Sequence, residues 1–348
     1  MRRRCIPELL AGLGIGSLAL TLAVAAPAEE SGLSELKQIN LQIGYPPGGG
    51  YDAYGRLLAR HLGRHLPGNP AIVVSNVPGA GSIILANNLY NRAPHDGSVL
   101  GVVAGDVALD PLFGHPEAHY DALKFSWIGS MNEETSTCFA WHTSPVQSIE
   151  DALHREFIVG TSSSTGTTYS YPTASNTLLG TKFKIVSGYD GTNGAMLAVE
   201  RGELEGMCGT AWNSIRTARP QWLSQKLIRI ILQEATRRNP DLAEVPTVMD
   251  IAKTDRQKQV LQLIYGWQIM GRPIVAPPGL PADRLAGLRT AFEETMRDPV
   301  FLADAEKMML DIRLVGPAEM MTFLTEVYKT PKDVAEEAST ALGRHKGK

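Results

Sequence analysis

Short apolar segments alternate along the chain with segments of helical periodicity. The helical pattern is clearest at 51–66, where Tyr54, Leu58, Leu62 and Leu66 recur at every fourth position. These residues form one apolar stripe, which suits a helix that packs on a sheet. Runs rich in β-branched residues predict strands at 40–44, 71–77, 99–103, 157–160, 184–187, 228–232 and 269–275. This alternation indicates an α/β fold with mostly parallel sheets.

The first 28 residues have the pattern of a secretory signal. Three arginines precede an apolar run, and small residues suited to cleavage follow at 25–28. A membrane anchor is the alternative, but Gly12, Gly14 and Gly16 interrupt the run and an A-x-A pattern follows it. We therefore expect residues 1–28 to be removed on export, and we exclude them from the fold.

The composition is that of a globular protein with room for two domains. Of the 348 residues, 43% are hydrophobic and 20% are charged, and the formal net charge is −3. Apart from the signal, the basic cluster of note is at 344–348, so the charge pattern argues against a nucleic-acid partner. We expect a small soluble partner, a monomeric chain and no cofactor.

Two cysteines remain once Cys5 has left with the signal. In an exported protein, Cys138 and Cys208 are compatible with one disulfide, and the alternative is two separately buried thiols. We expect the disulfide, although spacing alone does not decide between the two.

Three segments share one arrangement, in which a strand leads through small residues to the start of a helix. They are PPGGGYD at 46–52, VPGAGS at 77–82 and TSSSTGTT at 161–168. Glycine lets a ligand approach the backbone, and the first turn of a helix presents free amide N–H groups and the positive end of the helix dipole. Such ends attract anions. Because loops that follow parallel strands converge at one edge of a sheet, we expect a shared anion site.

The anion predicted for this site is a carboxylate. Few Lys or Arg side chains lie inside the three segments, whereas a polyphosphate usually requires more cations. Taken singly, each segment is also compatible with a tight turn, a helix cap or a connector. The role of Asp52 stays open between a cap for the helix dipole and a contact with a hydroxyl, amine or water of the ligand.

A hydrolase is the main alternative from another class of protein. It would use a serine of 162–164 with His142 or His154 as the base, but no G-x-S-x-G motif is present.

A metal site is the other alternative. It would use the pairs His61 and His65 or His115 and His119, but no third ligand stands at a matching spacing. We expect these histidines to face solvent. A nucleotide-binding site is not indicated, because the sequence after the signal has neither a complete glycine fingerprint nor a P-loop.

Five motifs follow one another in a defined order along the chain. They read YPPGGGYDAYGRLLARHL, NVPGAGSIILANNLYNRAPHDGSVLG, VGTSSSTGTTYS, GYDGTNGAMLAVERGELEG and GRPIVAPPGLPADRLAGLRTAFEETMRDP. In order and spacing they resemble the Bug-type periplasmic solute receptors of tripartite tricarboxylate transporters, over nearly all of the chain that follows the signal. The resemblance implies a periplasmic receptor without catalytic activity, which closes on a small carboxylate and presents it to membrane permease subunits.

The resemblance also implies a fold, that of a type II-like periplasmic binding protein with two α/β lobes and a hinge. The first lobe would comprise 36–136 and 268–330, and the second would comprise 137–267. Residues 331–348 would form a C-terminal helix and tail, packed on the first lobe or partly disordered.

The family's binding positions correspond to residues of both lobes in this sequence. The resemblance assigns them to Pro47, Gly48, Gly49, Gly50, Tyr51, Asp52, Pro78, Gly79, Ala80, Gly81, Ser82, Ser163, Ser164, Thr165, Gly166, Thr167, Thr168, Tyr189 and Gly191. The chain departs from many relatives at Ser82 and Ile83, where a further glycine is common.

Overall fold

Two five-stranded sheets form the framework of the chain. The computed structural model describes Met1 and residues 32–161, 166–189 and 191–343; the predicted signal, apart from Met1, and the basic tail lie outside these ranges. The strands are β1 (Gln38–Ile43), β2 (Ala71–Asn76), β3 (Val99–Val102), β4 (Ser126–Ser130), β5 (Ser136–Trp141), β6 (Phe157–Thr161), β7 (Phe183–Ser187), β8 (Gly206–Ala211), β9 (Ile228–Glu234) and β10 (Pro273–Ala276).

The first sheet has the order β2-β1-β3-β10-β4 and the second has the order β7-β6-β8-β5-β9. In each sheet three neighbouring strands are parallel, namely β2, β1 and β3 in the first and β7, β6 and β8 in the second. β10 and β5 run antiparallel to both of their neighbours. The predicted α/β class is confirmed, but the sheets are mixed, because each receives an antiparallel strand where the chain enters it from the other sheet.

Helices connect the strands and cover the sheets. They are α1 (Gly50–Leu62), α2 (Ile83–Asn91), α3 (Ile149–His154), α4 (Thr167–Leu179), α5 (Gly191–Glu200), α6 (Trp212–Ala218), α7 (Pro220–Ser224), α8 (Val248–Ile251), α9 (Asp255–Tyr265), α10 (Ala282–Arg297), α11 (Pro299–Lys307), α12 (Pro317–Val327) and α13 (Lys332–Ala341). The predicted stripe of α1 is buried, since Tyr54, Leu58 and Leu62 are at most 2% exposed. Gly55 allows a close approach to β1, because a Cβ there would lie 2.6 Å from Ile43 Cδ1.

Two segments carry the chain between the sheets, 131–135 and 266–272. They are hydrogen-bonded to each other, since Glu134 N–H donates to Gln268 O at 2.7 Å and Gly271 N–H donates to Asn132 O at 3.0 Å. The side chain of Gln268 also accepts from Ser136 N–H at 3.0 Å. The two crossing segments therefore form one paired connection. Because residues 269–272 belong to it, β10 begins at Pro273, later than the predicted strand at 269–275.

One hydrophobic core is shared by elements of both sheets. It includes Leu89 of α2 and Trp127 of β4, together with Phe157 of β6 and Tyr171 of α4. Two smaller clusters lie under α1 and α10 on the first sheet and under α5 and α7 on the second. Within the described residues, no helix has both the length and the apolar character needed to cross a bilayer.

The C-terminal helix α13 packs against α4 and α9. Its end reaches the first turn of α4, since a Cβ at Gly343 would lie 3.3 Å from Tyr169 Cε1. This differs from the expected packing on the first lobe, because the apolar face of α13, with Val334 and Ala338 buried, meets the second-sheet helices instead. The lobe boundaries predicted above stay a prediction.

Candidate ligand-binding site

The first loop, 45–49, joins β1 to α1 and is largely open to solvent. Pro47, Gly48, Gly49 and Gly50 are exposed, and Tyr51 is half-buried. Gly48 has a φ of +87°, which glycine adopts without steric cost. A Cβ at Gly48 would meet no atom within 4 Å, so the backbone there borders open space.

Asp52 is buried and fixes the shape of the first loop. Its Oδ2 accepts from Gly48 N–H and from Arg56 Nε, each at 2.9 Å, and its Oδ1 accepts from Asn76 Nδ2 at 2.9 Å. Burial by itself would raise the pKa of this carboxyl, but the hydrogen bonds from Arg56, Gly48 and Asn76 hold its pKa below the usual value. These contacts favour the structural role that the sequence left open.

The second loop, 77–82, follows β2 and has an unusual backbone. Gly79, Ala80, Gly81 and Ser82 all have positive φ, at 139°, 46°, 62° and 84°. Two of them are not glycines, and a left-handed conformation costs an ordinary residue about 1–2 kcal/mol. Ser82 is fully buried beside β1, since a Cβ at Gly44 would lie 1.8 Å from Ser82 Oγ. Strain of this kind tends to cluster at ligand-binding loops.

The first and second loops lie together at one edge of the first sheet. β1 and β2 are adjacent and parallel, so the loops that follow them leave the sheet on the same side. Asn76 Nδ2 donates to Tyr45 O at 2.8 Å, and Val77 N–H donates to Ile43 O at 2.8 Å. Pro78 is exposed beside this junction.

The hydroxyl-rich segment is described only in part. Ser163, Ser164 and Thr165 lie outside the described residues, as does Ser162, the remaining serine of the hydrolase alternative. Gly166 ends the loop and Thr167 begins α4.

The start of α4 packs closely on the second sheet. Thr167 Oγ1 donates to Gly209 O at 2.8 Å, and Thr168 Oγ1 lies 2.8 Å from Thr161 Oγ1. A Cβ at Gly209 would lie 2.1 Å from Thr167 O. The hydroxyls of Thr167 and Thr168 therefore contact strands of the second sheet, β8 and β6.

The loop between β7 and α5 brings Tyr189 and Gly191 to the same edge of the second sheet, because β6 and β7 are adjacent and parallel. Tyr189 is half-buried, and a Cβ at Gly160 would lie 3.4 Å from its Cδ2. Open space surrounds the positions where a Cβ would stand at Gly81, Gly166, Gly188 and Gly191.

Arg272, on the second crossing segment, is a buried charged residue beside the first loop that the sequence did not single out. It is 7% exposed, and its Nη1 donates to Glu134 Oε2 of the first crossing segment and to Gly271 O. The guanidinium carbon lies 4.2 Å from the centroid of the Tyr51 ring. A Cβ at Gly50 would lie 3.4 Å from Arg272 Nη2. The first helix and the crossing segments thus meet around one buried cation.

Arg272 keeps its charge throughout the accessible pH range. Burial alone would lower the pKa of its guanidinium, but the Glu134 carboxylate outweighs this effect and raises the pKa above the usual value. A buried guanidinium paired with a carboxylate also holds the backbone that carries it, because removing one partner would leave the other charge uncompensated.

A polar cavity of about 360 Å³ lies beside the crossing segments. It is lined by 132–135, 235–241, 268–269 and 311–313, together with Arg216. None of the predicted loop residues lines it. The cavity therefore adjoins the crossing segments from the side of Glu134, whereas the glycine-bearing loops border open space elsewhere.

Arg216 of α6 forms an ion pair between elements of the two sheets. Its Nη1 lies 2.9 Å from Asp311 Oδ2, beyond α11, and 3.2 Å from Asp241 Oδ2. Tyr54 OH of α1 donates to the carbonyl of Asp311 at 2.9 Å. The ion pair is about half exposed, so its contribution to stability is small.

The first histidine pair, His61 and His65, has ordinary protein partners. His61 Nε2 lies 3.1 Å from Asp304 Oδ2, and His65 Nε2 lies 2.9 Å from Asp298 Oδ2. His61 is 4% exposed, so the expectation that it faces solvent is wrong, because this side of α1 is covered by α11. In the part of the chain that the structure describes, no three His, Cys, Asp or Glu side chains gather as metal ligands.

Cys138 of β5 and Cys208 of β8 are bonded as a disulfide in the structure. Both are fully buried, on neighbouring antiparallel strands. The bond therefore joins the strand that follows the first crossing segment to the strand that leads into α6.

Several known proteins are similar to this chain. A Cupriavidus necator protein described as the UPF0065 protein in the gbd 5′ region is 24% identical over 356 residues, which cover 98% of this chain and 99% of the relative. A TctC solute-binding protein from Polaromonas, solved without ligand, is 18% identical with a TM-score of 0.66, over 86% of this chain and 98% of that one. R. palustris Rpa4515, solved with adipate, is 17% identical with a TM-score of 0.63, over 88% and 97%.

The structural likenesses establish the two-lobed fold of periplasmic binding proteins. The sequence profile described as "Tripartite tricarboxylate transporter family receptor" matches residues 55–339, which is most of the chain and includes the second loop, α4, the crossing segments and α1 from its sixth residue onward. The chain therefore belongs to the tripartite tricarboxylate transporter receptor family of periplasmic solute-binding proteins.

Proposed function

We propose that this chain captures a small carboxylate in the crevice between its two sheets and delivers it to a tripartite tricarboxylate transporter. The solute binds reversibly through main-chain amides of the first and second loops and through the start of α4, and it is not chemically changed. The supporting observation is that each of these segments precedes a helix and contains a glycine whose Cβ position borders open space.

The relatives support an organic acid as the solute class. Rpa4515 was solved with adipate, a diacid whose two ends are separated by an apolar chain. A diacid suits a crevice in which both sheets present helix starts, because one carboxylate can approach each side.

Export and delivery complete the proposal. Residues 1–28 direct export and are then removed, and the mature chain works as a monomer. The crossing segments act as the hinge, and contacts of the solute with both sides of the crevice favour the closed form. The closed receptor is the form that membrane permease subunits recognise.

Thermal unfolding of the purified protein with acetate, succinate, adipate, citrate and aspartate tests this function. A solute that binds the native state alone raises its melting temperature, and we expect the largest rise with a diacid. The methyl diester of that acid is the control and should give no rise. No rise with any of the acids, or an equal rise with the diester, would contradict carboxylate capture.

A further inference from the structure

The guanidinium of Arg272 has one occupied edge and one unoccupied edge. Nη1 donates to Glu134 and to Gly271 O, whereas Nε is buried without a hydrogen-bond partner. Nη2 lies on the side of Gly50, the first residue of α1. Nε and Nη2 together form the side edge of a guanidinium, whose two parallel N–H bonds match the two oxygens of a carboxylate.

The surroundings of this edge favour an anion. The N-terminus of α1 carries the positive end of the dipole of a 13-residue helix, and a buried cation beside it is repelled unless a negative group lies between them. Glu134 compensates Arg272 from the far side, at Nη1, and leaves the side that faces the helix uncompensated. A buried donor without a partner also costs free energy that a bound acceptor would recover.

The Tyr51 ring packs against the guanidinium of Arg272, and the Tyr45 ring supports Tyr51. The two rings are stacked with their centroids 4.3 Å apart, and Arg272 lies over Tyr51 at 4.2 Å. A guanidinium fixed in this way loses little rotamer entropy when it binds a planar group.

We propose that the Nε and Nη2 edge of Arg272 receives one carboxylate of the solute at the start of α1, so that Arg272 sets the specificity for a planar carboxylate end. This inference rests on the proposed function and names the side chain that anchors the acid. Nε is shielded from solvent in the structure, so the acid enters when the crossing segments or the first loop move.

Calorimetry tests this inference by comparing the affinities of two arginine variants for one acid. The acid is the one that raises the melting temperature most in the thermal test above. Arg272→Lys keeps the positive charge but loses the two parallel N–H bonds of the guanidinium, so we expect the affinity to fall about tenfold or more. Arg216→Lys is the matched control, because it makes the same change at an arginine between the two sheets that does not lie at the start of α1, and we expect less than about a threefold change. Unfolding of each ligand-free variant measures whether the fold is kept.

A spectroscopic measurement on the unaltered protein makes the test independent of how the variants fold. In the ¹⁵N-arginine-labelled chain, the Nε–H resonance of Arg272 should move on addition of the same acid, or of acetate, and stay in place with sodium chloride at equal ionic strength. Suppose that the unaltered protein binds an acid, that the affinity of Arg272→Lys is within threefold of its affinity, and that the resonance does not move. Arg272 then does not hold the carboxylate, and the proposed function stands. If no acid binds, the proposed function fails, and this inference fails with it.

Discussion

Asp52 makes its hydrogen bonds to the first loop and to its neighbours, which favours a structural role. Three donors, from Gly48, Arg56 and Asn76, engage both of its carboxylate oxygens. Because Gly48 N–H is hydrogen-bonded to Asp52, the protein itself orients the amides at the start of α1. A solute that binds there, as proposed above, would cost little conformational entropy of the loop.

Gly49→Asp tests the first loop at a position that tolerates the new side chain. Gly49 is the N-cap of α1 with φ −88° and ψ 175°, so Asp fits the backbone and caps the helix. Its carboxylate would compete with an anionic solute for the same amides. We expect the affinity for the acid that stabilises the protein most, measured by calorimetry, to fall about tenfold or more. The melting temperature of the ligand-free variant should stay the same or rise.

Gly316→Asp is the matched control for this variant. Gly316 is the N-cap of α12 with φ −75° and ψ 160°, and a Cβ there would meet no atom within 4 Å. The substitution adds the same charge to an equivalent helix start outside the predicted loops. Similar affinities for both variants and the unaltered protein would argue against a role for the first loop in binding.

Glu234 gives the stability a pH dependence that can be isolated. Burial raises its pKa to about 8, although a hydrogen bond from Gly209 N–H opposes the rise. Between about pH 4.5 and 8 the unfolded chain ionises this carboxyl while the folded chain keeps it protonated, so the free energy of unfolding falls as pH rises, by about 1.4 kcal/mol per pH unit at most. Below this window both states are protonated, and above it both are ionised.

Glu234→Gln should remove this part of the slope. Urea unfolding at several pH values from 5 to 8.5, for the variant and for the unaltered protein, measures the difference between their slopes. Glu326→Gln, on the exposed face of α12, makes the same chemical change at the surface and is the control. Parallel curves for Glu234→Gln and the unaltered protein would show that Glu234 ionises alike in the folded and unfolded chain.

The disulfide links two neighbouring strands of the second sheet. It closes a loop of 70 residues between β5 and β8, and a bond of this kind typically contributes about 2–4 kcal/mol by restricting the unfolded chain. Cys138→Ala with Cys208→Ala should lower the free energy of unfolding in urea by a similar amount. A reductant should lower the stability of the unaltered protein but leave the double variant unchanged; equal stability of the two proteins would contradict this role.

Elements with strong local patterns were predictable from the sequence. The β-branched strands β1, β2, β3, β6, β7 and β9 and helix α1 were placed within a few residues of their observed bounds. β4, β5 and β8 were missed, because SWIGS, STCFAW and GMCGTA mix small and polar residues and owe their strand structure to partners distant in sequence. For the same reason, the antiparallel position of β10 could not be predicted from local patterns.

The candidate site was predictable where it depends on local chain chemistry. The glycine-bearing loops stand directly before helices, and that arrangement is visible in the sequence. Arg272 was not predicted, because nothing near Gly-Arg-Pro shows that this arginine meets Gly50 and Tyr51. An arginine inside an otherwise apolar segment is the signal that would have indicated it, since such a side chain is rarely buried without a charged partner.

At the scale of the whole molecule, the shared core links the two sheets energetically. Leu89 and Trp127 on one side and Phe157 and Tyr171 on the other belong to one continuous cluster, so neither sheet can expose its part of this core alone. We therefore expect one cooperative thermal transition in calorimetry, with equal calorimetric and van't Hoff enthalpies. Two resolved transitions would show that the sheets unfold independently.

The last helix has a practical consequence for handling the receptor. Gly343 lies against Tyr169, two residues beyond the first residue of α4. Anything fused after it, such as an affinity tag, a fluorophore or a sensor-chip linker, would begin close to the first turn of α4. Attachment ahead of Gly32, whose N–H donates to Asp283 of α10 at 3.2 Å, would instead place such additions beside α10.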